Sequence, residues 1–131
     1  MLRLMLVEDG RVLFEVPLSA RGWDREDLRQ EFNGLEQDIE RFSRLFKALS
    51  NAGRVRMMSA LLEELGRPMA FTDLMQELQM NPKIIWDSTR RLRRTGLIEK
   101  DDEGRYRPTD GGEAQFLMIG VALRRLLRIL E

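Results

Sequence analysis

Apolar and polar residues alternate through 2–17, "LRLMLVEDGRVLFEVP", on both sides of Asp9-Gly10. Period-two alternation is the pattern of a strand with one covered face, and Asp-Gly is a strong two-residue turn signal. The stretch therefore predicts a β-hairpin, with Leu6 opposite Leu13 and Met5 opposite Phe14. A lone hairpin is marginal in water, so this one is expected to dock on something. Pro17, Ser19 and Gly22 end the alternation.

From about Asp24 to Leu49 the period becomes helical. Leu28, Phe32, Leu35, Ile39, Phe42, Phe46 and Leu49 follow at intervals of 4, 3, 4, 3, 4 and 3, a heptad seam. Asn33-Gly34 interrupts it, so the stretch is one long helix or a helix pair. The seam packs either on the chain's own domain or on a partner chain, and the pattern leaves both open.

Residues 54–65, "RVRMMSALLEEL", form another amphipathic helix, stopped by Gly66 and Pro68. A short helix over 73–79 is expected with Thr72 as its N-cap and Asp73 in the first turn. Asn81 caps a third helix with Pro82 at its first position, which runs to Thr95 and stops at Gly96. "LIEK" and "RYRPT" flank "DDEG" as a second hairpin. The last helix begins near Asp110, with Glu113 in a capping-box-like place. It carries Phe116, Ile119, Leu123, Leu126 and Leu130, again at intervals of 3 and 4.

With 131 residues and 43% hydrophobic content, the chain has room for a modest core. Its 22 basic and 22 acidic residues cancel, so only the distribution of charge can point to an anionic partner. There is no cysteine and no histidine, which removes disulfides, thiol chemistry, the commonest metal ligand and the commonest general base. Zn(II), Cu(I) and As(III) sites are not expected, and no cofactor is. The eight methionines are expected as adaptable core filler. No Gly-rich phosphate loop and no concentration of carboxylates suggests an enzyme. No apolar run nears the roughly 18 residues of a membrane span. "MLRLMLVEDG" reaches acidic residues too early for a signal peptide, so a cytoplasmic protein is expected.

The order from Phe46 onward is helix, short helix, turn, helix, hairpin, helix. Over Phe46–Glu113 the chain resembles the ArsR-like transcription regulators, particularly archaeal members. The matching segments are "LFKALSNAGRVRMMSALL", "FTDLMQELQMNPKIIWDSTRRLRRTGLIEK" and "GRYRPTDGGE". The resemblance implies a mainly α fold with small β elements, a winged helix-turn-helix, here with an N-terminal β-hairpin and flanking dimerisation helices. It divides the chain into a hairpin extension (1–22), a dimerising helix or helix pair (23–50), the winged helix-turn-helix (51–109) and a dimerising C-terminal helix (110–131). The first 22 residues lie outside it. Three departures stand out. Metal-sensing members use Cys and His ligands, which are missing here. The recognition helix of the family carries small polar residues where this chain has Ile84, Trp86 and Asp87. The wing tip, Asp101-Asp102-Glu103, is acidic.

At about 100° per residue along the third helix, Ile85, Thr89 and Leu92 share a core-facing sector. Lys83, Asp87, Arg90 and Arg94 fall opposite; Trp86 and Arg93 flank them on one side and Arg91 turns to the other. Residues 81–107 hold eight basic and five acidic residues, a local +3, whereas residues 1–50 hold eight and ten, a local −2. In this fold context the expected partner is double-stranded DNA. Arg90 is the candidate for a guanine edge and Lys83 sits at the helix end that enters the groove. Arg93, Arg94, Lys100, Arg105 and Arg107 are candidate phosphate contacts. Trp86 is expected to cover the seam between the second and third helices, with a thymine methyl or a sugar as its alternative contact. Asp87 is expected to orient Arg90 or Arg91; accepting from cytosine N4 or repelling phosphate are the alternatives.

A regulator acting as a homodimer is expected, joined through Leu28, Phe32, Leu35 and Ile39 and through Phe116, Ile119, Leu123, Leu126 and Leu130. The competing reading is a winged-helix module that binds protein within a larger assembly, which the acidic wing and Trp86 favour. The effector, if there is one, is not legible.

Overall fold

Asp9 and Gly10 take φ of 50° and 80°, the paired positive angles of a type I′ turn, whose twist matches that of the flanking strands. They join β1 (Arg3–Glu8) to β2 (Arg11–Pro17) in an antiparallel hairpin. The computed structural model describes residues 1–131 as two units, Met1–Arg41 and Phe42–Glu131.

In the first unit the hairpin register differs from the expected one. Glu8 pairs with Arg11 and Val7 with Val12; a shift between Leu6 and Val7 then sets Leu6 opposite Phe14 and Met5 opposite Glu15. Leu13 is the extra residue of a β-bulge, which simple counting back from the turn cannot reveal. Leu4, Leu6, Phe14 and Val16 thereby share one face, since directly opposed residues lie on the same side. Leu18 N–H donates to Leu2 O and prolongs that face. Arg3 and Glu15 form a 2.8 Å ion pair on the other. Trp23 Nε1 donates to Pro17 O at 3.0 Å and ties down the end of β2. Asp24 accepts from Glu26 N–H and caps α1 (Arg25–Glu31), and the chain turns at Gly34 into α2 (Leu35–Leu49), so the helix-pair alternative holds. No residue of Met1–Arg41 is buried.

The second unit holds the core. Leu45 packs against it and Ala48 and Leu49 belong to it, so α2 turns its C-terminal end inward. Phe32, Leu35, Ile39, Phe42 and Phe46, the residues of the heptad seam, are exposed along α1 and α2. Leu49, at the end of the seam, is buried. α3 (Ala52–Glu63), capped by Asn51, contributes Met57, Met58, Ala60 and Leu61. Met57, Met58 and Met69 do fill the core, whereas Met1, Met5 and Met118 are exposed.

α4 (Phe71–Leu78) begins earlier than expected, and its N-cap is Ala70, not Thr72. Asp73 is the reason: its carboxylate accepts from the Ala70 N–H at 2.9 Å, which fixes the first turn two residues upstream of the expected start. Gln79 ends α4 in the left-handed region, and Asn81 and Pro82 open α5 (Pro82–Arg94) as expected. β3 (Ile98–Lys100) and β4 (Tyr106–Pro108) form the second hairpin, and Met69 bridges to Tyr106 as a third strand position. These elements make a winged helix-turn-helix, with α4 and α5 as the helix-turn-helix and β3–β4 as the wing.

α6 (Asp110–Leu117) is capped by Thr109, one residue before the expected start at Asp110; its hydroxyl accepts from Gly112 N–H and donates to Gly96 O. Gly112 is required by close approach, since a Cβ there would meet Leu97 O at 2.0 Å. A π-helical stretch, Met118–Leu123, then leads into α7 (Arg124–Leu130). Its wider turns rotate every later side chain relative to a straight 3.6-residue count. The expected C-terminal seam is therefore split. Phe116 and Ile119 pack on the core, Leu126 is half-buried, and Leu123 and Leu130 are exposed with Leu127 beside them.

Candidate nucleic-acid interface

α5 presents two sides. Ile85, Ser88, Thr89 and Leu92 are buried, which is the side that its apolar spacing assigns to the core. Every arginine of "RRLRR" and the Lys83 side chain are exposed. The four exposed arginines are not equivalent. Trp86, Thr89, Arg90 and Arg93, at intervals of 3, 1 and 3, face the wing and line a groove of about 430 Å³ together with Phe71, Lys100, Gly104 and Tyr106. Arg94 and Lys83 lie outside the groove lining. Arg91 turns the opposite way. Burial, and after it the positive charge of Arg91, lowers the pKa of Arg54 below the usual arginine value. Arg54 belongs to α3 and donates to the Ala48 and Lys47 carbonyls at the end of α2. Arg91 therefore sits on the α3 flank, away from the groove.

Trp86 is 51% exposed and does not cover the helix seam that was expected of it. The core between α4 and α5 is closed by smaller residues, Leu74, Leu78, Ile85 and Leu92, which leaves the indole outside. Arg90 lies over the indole, with its guanidinium carbon 5.0 Å from the ring centroid, a cation–π distance. Asp87 forms no ion pair with Arg90 or Arg91. The neighbour of Arg90 is thus the indole and not the Asp87 carboxylate.

Strand alternation sorts the wing. Lys100 is paired with Tyr106, and its ammonium lies 5.5 Å from the Tyr106 ring centroid, on the groove side. Glu99 is paired with Arg107 on the opposite side, where their side chains meet at 2.8 Å and line a different depression. Arg107 is therefore separated from Lys100 by the thickness of the hairpin. Arg105, at the tip, reaches Glu103 at 3.8 Å. Of the three tip acids, Asp101 is occupied locally: its Oδ1 accepts from the N–H groups of both Glu103 and Arg105 and shapes the turn. Asp102 and Glu103 are exposed.

The groove thus joins three of the expected cations, Arg90, Arg93 and Lys100, with Trp86. Phe71 and Tyr106 line it too and were not singled out from the sequence. Tyr106 had a readable signal, because it stands opposite Lys100 once the hairpin register is drawn. Phe71 had none, since α4 was expected to start after it.

The groove thus lies between α5 and the wing of a winged helix-turn-helix, with aromatic residues from α4, α5 and β4. Residues 51–100 match the family described as "Bacterial regulatory protein, arsR family". The match spans α3 to β3 and supports an ArsR-like helix-turn-helix regulator that binds DNA. A comparison with curated proteins finds no match. No helix is long and apolar enough to cross a membrane.

Proposed function

We propose that the chain is a non-enzymatic, sequence-specific transcription regulator that binds duplex DNA as a homodimer, with α5 in the major groove and the wing against the backbone. The observation that carries this reading is the convergence of Arg90, Arg93 and Lys100 on one groove beside exposed Trp86. Arg90 reaches a base edge. Arg93, Arg94, Lys100 and Arg105 contact phosphates, and Lys83 enters the DNA major groove with the N-terminal end of α5. Asp87, with no internal partner, faces the DNA. The exposed seam of Phe32, Leu35 and Ile39, with Leu28 beside it, supplies one part of the dimer contact, and Leu123, Leu126 and Leu130 supply the other. Two copies then engage two half-sites.

Binding to duplex DNA across a salt series tests this. Arg90→Ala costs about 1–3 kcal/mol on a preferred sequence and relaxes selection at one base pair. Arg94→Ala weakens binding to all sequences alike and lowers the salt slope by about one phosphate contact. Arg91→Ala and Arg107→Ala do least, because the first turns toward α3 and the second is engaged by Glu99. Equal, small effects at Arg90, Arg91 and Arg94 would reduce the run to a solvated face. Light scattering at micromolar concentration is expected to give a dimer, and Leu123→Glu to give monomers; a 15.4 kDa species for the unaltered chain would defeat the dimer.

A second reading, a module that binds protein, is favoured by exposed Ile84 and Trp86 on α5 and by the acidic residues Asp102 and Glu103 on the wing. Failure to shift generic duplex DNA at low salt would make it the better one.

A further inference from the structure

Trp86 is an exposed indole beside Arg90 and Arg93 on the groove-facing side of α5, and it is not needed to close the core. Arg90 takes part in none of the chain's ion pairs, and its guanidinium rests on the indole at 5.0 Å. One turn of helix separates the two residues, so the stack forms before any ligand arrives. A flexible arginine is thus held with its donors free.

We propose, resting on the DNA-binding reading above, that Trp86 and Arg90 act as one unit that reads a guanine together with the thymine of an adjacent base pair. A guanidinium that donates to guanine O6 and N7 lies in the plane of that base. A ring stacked on the guanidinium then stands level with a neighbouring base pair, at its major-groove edge. The one apolar group displayed on that edge is the thymine C5 methyl. An indole edge is suited to cover it, and no other large apolar side chain lines the groove from α5. Trp86 is a positioning residue toward Arg90 and a contact residue toward the methyl.

The test begins with selection from a random-sequence duplex library by the full chain. Guanine flanked by thymine is expected in the enriched half-site. On the selected duplex, replacing that guanine by adenine weakens binding about 5- to 150-fold. Replacing the thymine by deoxyuridine, which deletes only the methyl, weakens binding about fourfold. Trp86→Ala abolishes the deoxyuridine effect and reduces the guanine preference toward that of Arg90→Ala. The double variant is then no worse than the sum of the singles, and measurably better. Trp86→Phe retains part of both effects. Because Trp86 lies outside the core, its variants keep the melting temperature of the unaltered chain, which checks folding. A selected duplex whose binding ignores deoxyuridine, with guanine preference intact in Trp86→Ala, overturns the paired reading and leaves DNA binding standing. Enrichment of no duplex at low salt overturns DNA binding and the paired reading with it.

Discussion

The chain contains two β-hairpins that obey the same local rules and meet opposite fates. β1–β2 is the longer, with strands of six and seven residues and a type I′ turn. β3–β4 has three residues in each strand and an acidic tip. By local propensity the first is the stronger hairpin, yet both of its faces are exposed. The second is anchored by Ile98 and Tyr106, which are 2% and 5% exposed, and by the Met69 bridge. Hairpin formation and hairpin burial are thus separate questions. The turn and the alternation answer the first. Only the presence of a surface to cover answers the second.

The wing should suffer most from loss of its anchor. Tyr106→Ala is expected to cost about 3 kcal/mol or more in urea unfolding, from lost burial, and to free Lys100 of its aromatic neighbour. A cost below about 1 kcal/mol would show that the wing is as loosely held as the first hairpin. Next comes the junction behind the wing. Gly112→Ala forces a Cβ onto the Leu97 backbone, and a loss of about 1–3 kcal/mol is expected as α6 and β3 separate. Thermal unfolding that matches the parent would mean that the junction yields without penalty. The smallest effect is expected in the first hairpin. Phe14→Ala, at a position 47% exposed, should change the stability of a dilute, monomeric sample by no more than about 0.5 kcal/mol. Repeating that measurement over a concentration series sharpens the contrast, because a loss that grows with concentration would reveal a second copy on the Leu4–Phe14 face.

Arg54 shows the same division at the scale of one side chain. Its sequence position on a helix suggests only a solvated cation, whereas the fold places it against two carbonyls that end α2. Arg107 is the converse. Its charge and its place near the wing suggest a phosphate contact, but strand parity puts it on the face away from Lys100.

Local sequence alone carries the element order, both hairpin turns, the cap at Asn81 with Pro82 at the first helical position, and the side of α5 that faces inward. Each of these follows from interactions within a few residues: a positive φ pair, an Asn oxygen over the first helical N–H groups, or a period of 3.6. It did not determine the bulge at Leu13, the earlier start of α4, the π-helical shift after Leu117 or the exposure of Trp86. The bulge and the shift add residues to an even count, and a count made at constant period cannot register them. The start of α4 was decided by which N–H the Asp73 carboxylate reached, and the place of Trp86 by whether smaller residues had already filled the core. Those outcomes depend on the distances between elements, and only the tertiary structure sets them.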